Sequence, residues 1–370
     1  MNIEKYEKSK FVGKIQETVR MADGFRSDKD NPVDASFIET AREQFEDDDM
    51  TMDSFLADIG IDPSVDTIEN IYTVGQADVS WIIPEIFREA ILTGLRTSPI
   101  WNAITASEQQ LDGLKAIMPH INMSDATPKR TAEGETISLG TISYGQKEIS
   151  LWKMARGIKI TYEVKKYVSL DVVSIFLRDF GVKLGHGLDV LAINTLINGE
   201  QSDGSESAPI IGVTTPGTKA YRDMLRIWIR MSRLGRTPNV IIGSETSALD
   251  TLDMDEFKLR QNSGPTEANL DLKTPVPNSA SYFIHGNVPA DQEIMVDPSM
   301  ALVKFNSVPL MLESEKIVSN QTEAFYVSLT TGFAKIMSDS VLILDKSVDF
   351  ATDGFPDYLD ADAAQNVLIG

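Results

Sequence analysis

Cysteine is absent from the 370 residues of this chain, and histidine is scarce. Without cysteine the protein has no disulfide, no thiolate metal ligand and no cysteine nucleophile, whatever its redox compartment. The three histidines fall on a predicted strand, in a predicted long helix and on another predicted strand: His120, His186 and His285. Metal and catalytic sites need converging partners, so scattered histidines are usually structural. The sequence therefore predicts no catalytic site, no metal site and no cofactor, and hence no enzyme.

Long apolar runs are also missing. The sequence has no stretch of roughly 18 apolar residues, which a membrane helix requires, and the segment MNIEKYEKSK at its start lacks the apolar stretch of a signal peptide. We therefore expect a protein that is neither secreted nor inserted in a membrane. The 42% hydrophobic content and the length are sufficient for a globular protein of two or three domains.

Positive charge is in short supply, and the net charge is −21. Residues 1–70 contain eight Lys or Arg and eighteen Asp or Glu, whereas residues 129–190 contain ten and seven. An acidic leading segment thus precedes a mildly basic middle, a distribution that allows one copy of the chain to attract another. Tight nucleic-acid binding by the whole surface is disfavoured, because neutralising phosphates requires concentrated Lys and Arg.

The first 75 residues are predicted to form an N-terminal arm rather than a domain. The segment ASFIETAREQFEDDDMTMDSFLADIGIDPS contains two short amphipathic stretches separated by a run of acidic residues. Four carboxylates near this run could hold a hard cation, but the glycine and distal glutamate of a calcium loop are missing: Asp47, Asp48, Asp49 and Asp53. A solvated charge run is the favoured interpretation.

A packed amphipathic helix is predicted between Pro84 and Pro99, and an extended hairpin after it. The chain runs through LKAIMPHINM to a polar tip, SDATPKRTAEGET, and returns through SLWKMARGIKITYEV at residues 150–164. Side chains alternate on this returning strand, and its apolar face carries Trp152, Met154, Ile158 and Ile160. A change of pattern near residues 146–149 predicts a bulge.

One very long helix follows the hairpin. The segment SLDVVSIFLRDFGVKLGHGLDVLAINTLING predicts a helix of about 45 Å, from an N-cap at Ser169 to a stop signal at Asn198 and Gly199. Its buried seam is predicted to be Val173, Leu177, Phe180, Leu184, Leu188 and Leu191. Three interior glycines each cost about 1 kcal/mol relative to alanine, which predicts close packing or a bend there: Gly181, Gly185 and Gly187.

Residues 209–305 have the short strands and helices of a second, mixed α/β domain. After this domain, FYVSLTTGFAKIMSDSVLILD is expected to return to the first one, and the tail from Lys346 has little to bury. One predicted helix of the second domain carries a basic stripe opposite an apolar side: Arg222, Arg226, Arg230 and Arg233. A solvated face is the favoured interpretation, and docking on an acidic partner surface is the alternative.

Four segments carry a resemblance to a known family through their order and spacing. They are PEIFREAILTGLRTSPIW, residues 142–199 from ISYGQKEIS to LAINTLING, TPNVIIGSETSALDTL, and DQEIMVDPSMALVKFNSVPLML. This arrangement resembles the major capsid protein family of tailed phages, which has the Hong Kong 97 fold. The resemblance covers roughly residues 80–345 and implies an α+β fold with an N-terminal arm, an extended β-hairpin loop, a peripheral domain with a long spine helix, and an α/β axial domain.

The resemblance also implies how the chain is divided. In order, it implies an N-terminal arm (1–75), a first part of the peripheral domain (76–110), an extended loop (111–164), a spine helix of the peripheral domain (165–208), an axial domain (209–305), further peripheral strands (306–345) and a C-terminal tail (346–370). The extended loop would reach over a neighbouring subunit. Together with the basic stripe, this gives the intersubunit contact candidates Trp152, Met154, Arg156, Ile158, Ile160, Arg222, Arg226, Arg230 and Arg233.

The function implied by the resemblance is self-assembly of pentamers and hexamers into an icosahedral head shell. Such a shell encloses double-stranded DNA without reading its sequence, is assembled in the host cytoplasm and becomes the virion capsid. Its further partners are a portal and possible scaffold or decoration proteins, and no membrane is involved. An encapsulin-like nanocompartment shell is the alternative, and a metal-dependent hydrolase using the aspartate run is a more remote one.

Overall fold

The computed structural model describes residues 37–45, 48–58, 61–73, 82–97, 100–111, 113, 115–121, 133–134, 142–200, 207–255 and 280–352. Within these residues the chain is α+β, the class that the sequence predicts. The helices are α1 Phe37–Phe45, α2 Met52–Asp58, α3 Ile68–Thr73, α4 Ile82–Thr97, α5 Ile100–Ala103, α6 Tyr162–Tyr167, α7 Leu170–Asn198, α8 Tyr221–Arg233 and α9 Glu245–Leu252. The strands are β1 Thr105–Gln110, β2 Lys115–Ile121, β3 Ile142–Ser150, β4 Trp152–Thr161, β5 Ile210–Val213, β6 Val240–Gly243, β7 Ser281–Ile284, β8 Gln292–Val296, β9 Leu302–Ile317, β10 Thr322–Lys335 and β11 Val341–Asp349.

The described part of the predicted N-terminal arm packs onto the main core. Phe37 and Phe55 meet edge to face, with ring centroids 5.1 Å apart, and both rings are buried. Ile68 of α3 is buried in the same core as Ile83 and Phe87 of α4. The described residues between 37 and 73 are therefore integrated into the subunit rather than loosely organised. Of the aspartate run, Asp47 lies outside the described residues.

The spine helix α7 has the length and the buried seam that the sequence predicts. It spans 29 residues from Leu170 to Asn198, and Gly199 follows with a positive φ of 71°. Val173, Leu177, Phe180 and Leu188 are buried, and Leu184 and Leu191 pack partly against the same core. At Gly181 and at Gly94 of α4 the two helix backbones approach so closely that neither position has room for a side chain. Close packing, rather than a bend, explains this glycine of the spine helix.

The first sheet has four strands in the order β1–β9–β10–β4. β9 and β10 are antiparallel to each other, β1 joins β9 in parallel, and β4 joins β10 antiparallel with Ile158 opposite Phe325. β4 is thus the edge strand of the subunit's own sheet. The prediction that residues 150–164 belong to the hairpin arm is wrong for β4, because a local pattern of alternation does not identify the partner strand.

The hairpin itself exists, but it consists of β2 and β3. The register shifts so that Met118 pairs with Lys147 and Pro119 with Tyr144, which leaves two residues of β3 unpaired and places the predicted irregularity at residues 144–147. Leu151 separates β3 from β4. The strand also ends at Thr161 rather than at residue 164, since the Thr161 side chain accepts a hydrogen bond from the Val164 N–H and caps α6.

The second sheet has five strands in the order β5–β11–β8–β6–β7. One face of its central strands carries Ile242, Ile294 and Ile343 into the main core, and the other packs Ile241 and Met295 against the apolar side of α8. Both faces are buried, which explains the continuous apolar runs in β6 and β11. β10 lies in the first sheet, whereas β11 lies in this second sheet.

Candidate assembly surfaces

The spine helix exposes apolar side chains opposite its buried seam. Val172 lies one turn before the neighbouring residues Ile175 and Phe176 on the outward side of the first half of the helix, and Phe176 is 70% exposed. Tyr167, at the end of α6, is exposed close by in sequence. These four residues are called the helix patch. The sequence contained the signal for the helix patch, because Val172, Ile175 and Phe176 are apolar residues outside the predicted seam.

The edge strand β4 divides its candidate contact residues between solvent and core. Trp152 is 62% exposed, and Arg156 is exposed as well. Met154 and Ile158 are half-buried against the main core, and Ile160 is only 6% exposed within it. The expectation that Ile160 is open to a neighbour is therefore wrong, because the Ile160 end of this face covers the interior of its own subunit. Trp152 and Arg156 remain accessible to a neighbour.

The predicted arginine stripe on α8 also contains both exposed side chains and side chains that contact their own subunit. Arg222 and Arg233 are exposed, whereas Arg226 donates hydrogen bonds to the Asp223 carboxylate and the Thr214 hydroxyl, both at 3.2 Å. The Arg226 guanidinium also stacks 3.9 Å from the centroid of the Phe350 ring, with Arg230 at 5.2 Å. Arg226 and Arg230 thus hold the turn that follows β11 within the subunit.

Arg226→Glu is expected to lower the free energy of unfolding of the free subunit by about 2–3 kcal/mol, because it removes the cation beside the buried Asp223 carboxylate and adds a like charge. Arg222→Glu is the matched control on the same helix and is expected to leave stability within about 0.5 kcal/mol of wild type. Urea denaturation of both variants measures the difference. Equal stability of the two variants would show that the contacts of Arg226 do not stabilise the subunit and that Arg226 belongs to the solvated face.

A polar network is buried inside the second sheet region. The Lys219 ammonium donates to Glu293 at 2.5 Å, to Thr251 at 2.5 Å, and to the carbonyl and hydroxyl oxygens of Ser247. Tyr282 donates its phenolic hydrogen to the same oxygen of Glu293 at 2.7 Å. Burial lowers the pKa of Lys219 and Glu293 opposes that shift, while burial and Glu293 both raise the pKa of Tyr282. The network joins the Lys219 segment to β7, β8 and α9.

Two of the three histidines meet at the spine helix, which the sequence did not predict. His186 and Asp189 of α7 face His285, which directly follows β7, and the His186 and His285 ring centroids are 6.4 Å apart. Burial lowers the pKa of His285, and the nearby Asp189 carboxylate partly offsets the shift. The spacing of His186 and Asp189, three residues apart on one helix face, was the available signal.

Within the described ranges, no helix combines the length and the apolar character needed to cross a bilayer.

Comparison with known proteins gives matches at the level of structure alone. No protein-family model and no curated protein matches the sequence. A virus-like particle from Pyrococcus furiosus matches with a TM-score of 0.49 and 11% identity, over 70% of this chain and 97% of that one. An encapsulin complex from Synechococcus elongatus matches with a TM-score of 0.47 and 11% identity, over 69% of this chain and 89% of that one. The mature capsid of bacteriophage PhiM1 matches with a TM-score of 0.47 and 11% identity, over 66% of this chain and 86% of that one. The three matching structures are named, respectively, as a virus-like particle, an encapsulin complex and a phage capsid.

Proposed function

We propose that this chain is the structural subunit of a closed protein shell and assembles with copies of itself. The observation that carries the proposal is the helix patch, which places Val172, Ile175 and Phe176 in solvent along a helix whose other side is core. Contiguous exposed apolar surface of this kind marks an interaction site. The exposed Trp152 on an edge strand adds a second apolar surface.

A second copy of the chain is the occupant that best fits these surfaces. Several elements of the subunit are elongated: the 29-residue helix that carries the helix patch, the ribbon of β2 and β3, and the hairpin of β9 and β10 with strands of 16 and 14 residues. Elongated elements serve contact with neighbours more readily than they enclose a reaction site. The outward side of the first sheet carries Lys153 and Lys159 on β4 and Glu313 and Glu315 on β9, so opposite charges are available to neighbouring copies.

The finer proposal is the icosahedral head shell of a tailed phage, built from pentamers and hexamers around double-stranded DNA, with a portal at one vertex. Scaffold or decoration proteins would be additional partners. The net charge of −21 supports a wall that does not grip the DNA, so that DNA moves along it during packaging. The contents of purified particles test this proposal. Duplex DNA, identified by digestion and sequencing, supports a head shell, and a single enzyme cargo supports a nanocompartment instead.

Phe176→Asp is expected to abolish closed particles while it leaves the fold of the free subunit intact. Burying a large apolar side chain is worth about 1.5–3 kcal/mol, and an unpaired carboxylate in its place adds a desolvation cost at every equivalent contact. The particle yield by electron microscopy and the thermal midpoint of the free subunit are measured together. The same pair of measurements applies to Trp152→Asp.

Two variants of the spine helix serve as controls. Phe176→Leu retains an apolar side chain and is expected to assemble. Leu177→Asp changes the adjacent, buried residue and is expected to unfold the subunit itself, since it places a charge in the core. Normal particle yield from Phe176→Asp, or a thermal midpoint as low as that of Leu177→Asp, would show that the helix patch is not an assembly surface.

A further inference from the structure

Three side chains of the types that ligate metals in proteins converge where the spine helix meets the second sheet. His186 and Asp189 come from α7, and His285 comes from the segment after β7. Each side chain offers a ligand atom within 4.8 Å of the other two, and His186 Nδ1 is 3.7 Å from Asp189 Oδ2. The two histidines and the aspartate approach from elements far apart in sequence, so their proximity depends on the fold.

The surroundings hold two of these side chains in place. Asp189 is fully buried, and its Oδ1 accepts a hydrogen bond from the Trp101 N–H at 2.8 Å, which fixes the carboxylate. His285 is held through its own loop, because the Asn287 N–H donates to its Nδ1 at 3.1 Å and the Asn287 side chain donates to Asn194 of α7 at 2.9 Å. The hydrogen bond to Asp189 is an outer contact of the kind that orients metal ligands, whereas Nδ1 of His285 accepts a hydrogen bond where a metal-bound histidine usually donates one.

We propose that His186, Asp189 and His285 bind a divalent transition metal ion, with Zn²⁺ as the best fit. Two imidazoles and one carboxylate suit zinc and the neighbouring transition metals, whereas magnesium and calcium prefer oxygen ligands throughout. Three protein ligands leave a fourth tetrahedral position for water. The ion would tie the spine helix α7 to the loop between β7 and β8.

The geometry sets the strength of this site. Tetrahedral Zn²⁺, with bonds of about 2.0–2.1 Å, requires neighbouring ligand atoms roughly 3.3 Å apart, so the side chains must close in. The His186 side chain is 60% exposed and is free to change rotamer, whereas Asp189 is fixed. Because Nδ1 of His285 accepts the Asn287 N–H, the proton of the neutral ring is on Nε2; binding through Nε2 requires this proton to transfer to Nδ1 and the Asn287 hydrogen bond to break. Micromolar affinity is therefore expected.

Titration of the full-length, metal-stripped chain with Zn²⁺ and with Co²⁺ tests the proposal. One equivalent should bind with micromolar affinity, Co²⁺ should give the intense visible absorption of a tetrahedral site, and excess Zn²⁺ should raise the thermal midpoint by a few degrees. His285→Ala and His186→Ala should each weaken binding by at least about tenfold, since each removes one protein ligand. His120→Ala, on β2, is the matched control and should bind as wild type.

Two outcomes would overturn the proposal. One is equal binding by wild type and the two cluster variants, which would place the metal elsewhere. The other is a weak Co²⁺ spectrum of octahedral type, or no binding at all at high micromolar metal. The readouts do not depend on particle formation, so the metal site and the shell function succeed or fail separately.

Discussion

Gly181→Ala is expected to lower the free energy of unfolding of the subunit by about 3 kcal/mol, the upper end of the usual cost of overpacking. A β-carbon at position 181 would overlap the carbonyl oxygen of Ile91 and lie 3.0 Å from Cα of Gly94. Both obstacles belong to the backbone of α4, which has no rotamer to change. The two helices must therefore separate, and the core contacts on either side of the crossing loosen.

Helix propensity works in the opposite direction, because alanine is favoured over glycine in a helix interior by about 1 kcal/mol. Gly187→Ala on the same helix isolates this contribution. There the added β-carbon meets only the terminal methyl group of Met154 at 2.8 Å, and that side chain is flexible. Gly187→Ala is expected to be neutral or stabilising in urea denaturation. Equal losses of stability in both variants would mean that the helix crossing tolerates a wider spacing.

Lys219→Met is expected to cost about 3–5 kcal/mol, because it leaves the buried carboxylate of Glu293 without its cation. One oxygen of Glu293 accepts from Lys219, Thr251 and Tyr282, and its second oxygen, Oε2, is buried without a hydrogen-bond partner.

The exposed ion pair between Lys183 and Asp179 on the spine helix provides the matched control. Lys183→Met removes the same type of side chain from a solvated pair and is expected to change stability by less than about 0.5 kcal/mol. The double variant Lys219→Met with Glu293→Leu should recover part of the loss, because no unpaired charge remains. If Lys219→Met and Lys183→Met have the same stability, the buried pair of Lys219 and Glu293 does not stabilise the fold.

The elements that the sequence predicted correctly are those with a local physical cause. The stripe of α4 and the seam of the spine helix follow from helical periodicity, and α7 ends before Gly199 as predicted. Ser169 stands at the N-cap position of α7, although its side chain makes no capping hydrogen bond. The close approach at Gly181 was predicted from the cost of glycine in a helix, although its partner, Gly94, was not identified.

What the sequence did not predict depends on contacts between distant segments. Alternation along β4 indicated two faces, but nothing local indicated that β10 is the partner strand or that Ile160 faces its own core. The Lys219 network and the pair of His186 and His285 likewise join segments that only the fold brings together. The stripe on α8 was correct as a pattern, but the contact of Arg226 with Phe350 depends on where β11 ends.

The strand order of the first sheet also determines when it can form. β1 and β4, from the first half of the chain, never pair with each other, because the β9–β10 hairpin lies between them. On the ribosome, both early strands must therefore wait until the chain has been synthesised beyond Lys335. Closing such long loops carries an entropic cost before any pairing compensates for it, so this sheet should fold late and slowly. The helical crossing of α4 and α7, complete by Asn198, has to keep the nascent subunit compact until then.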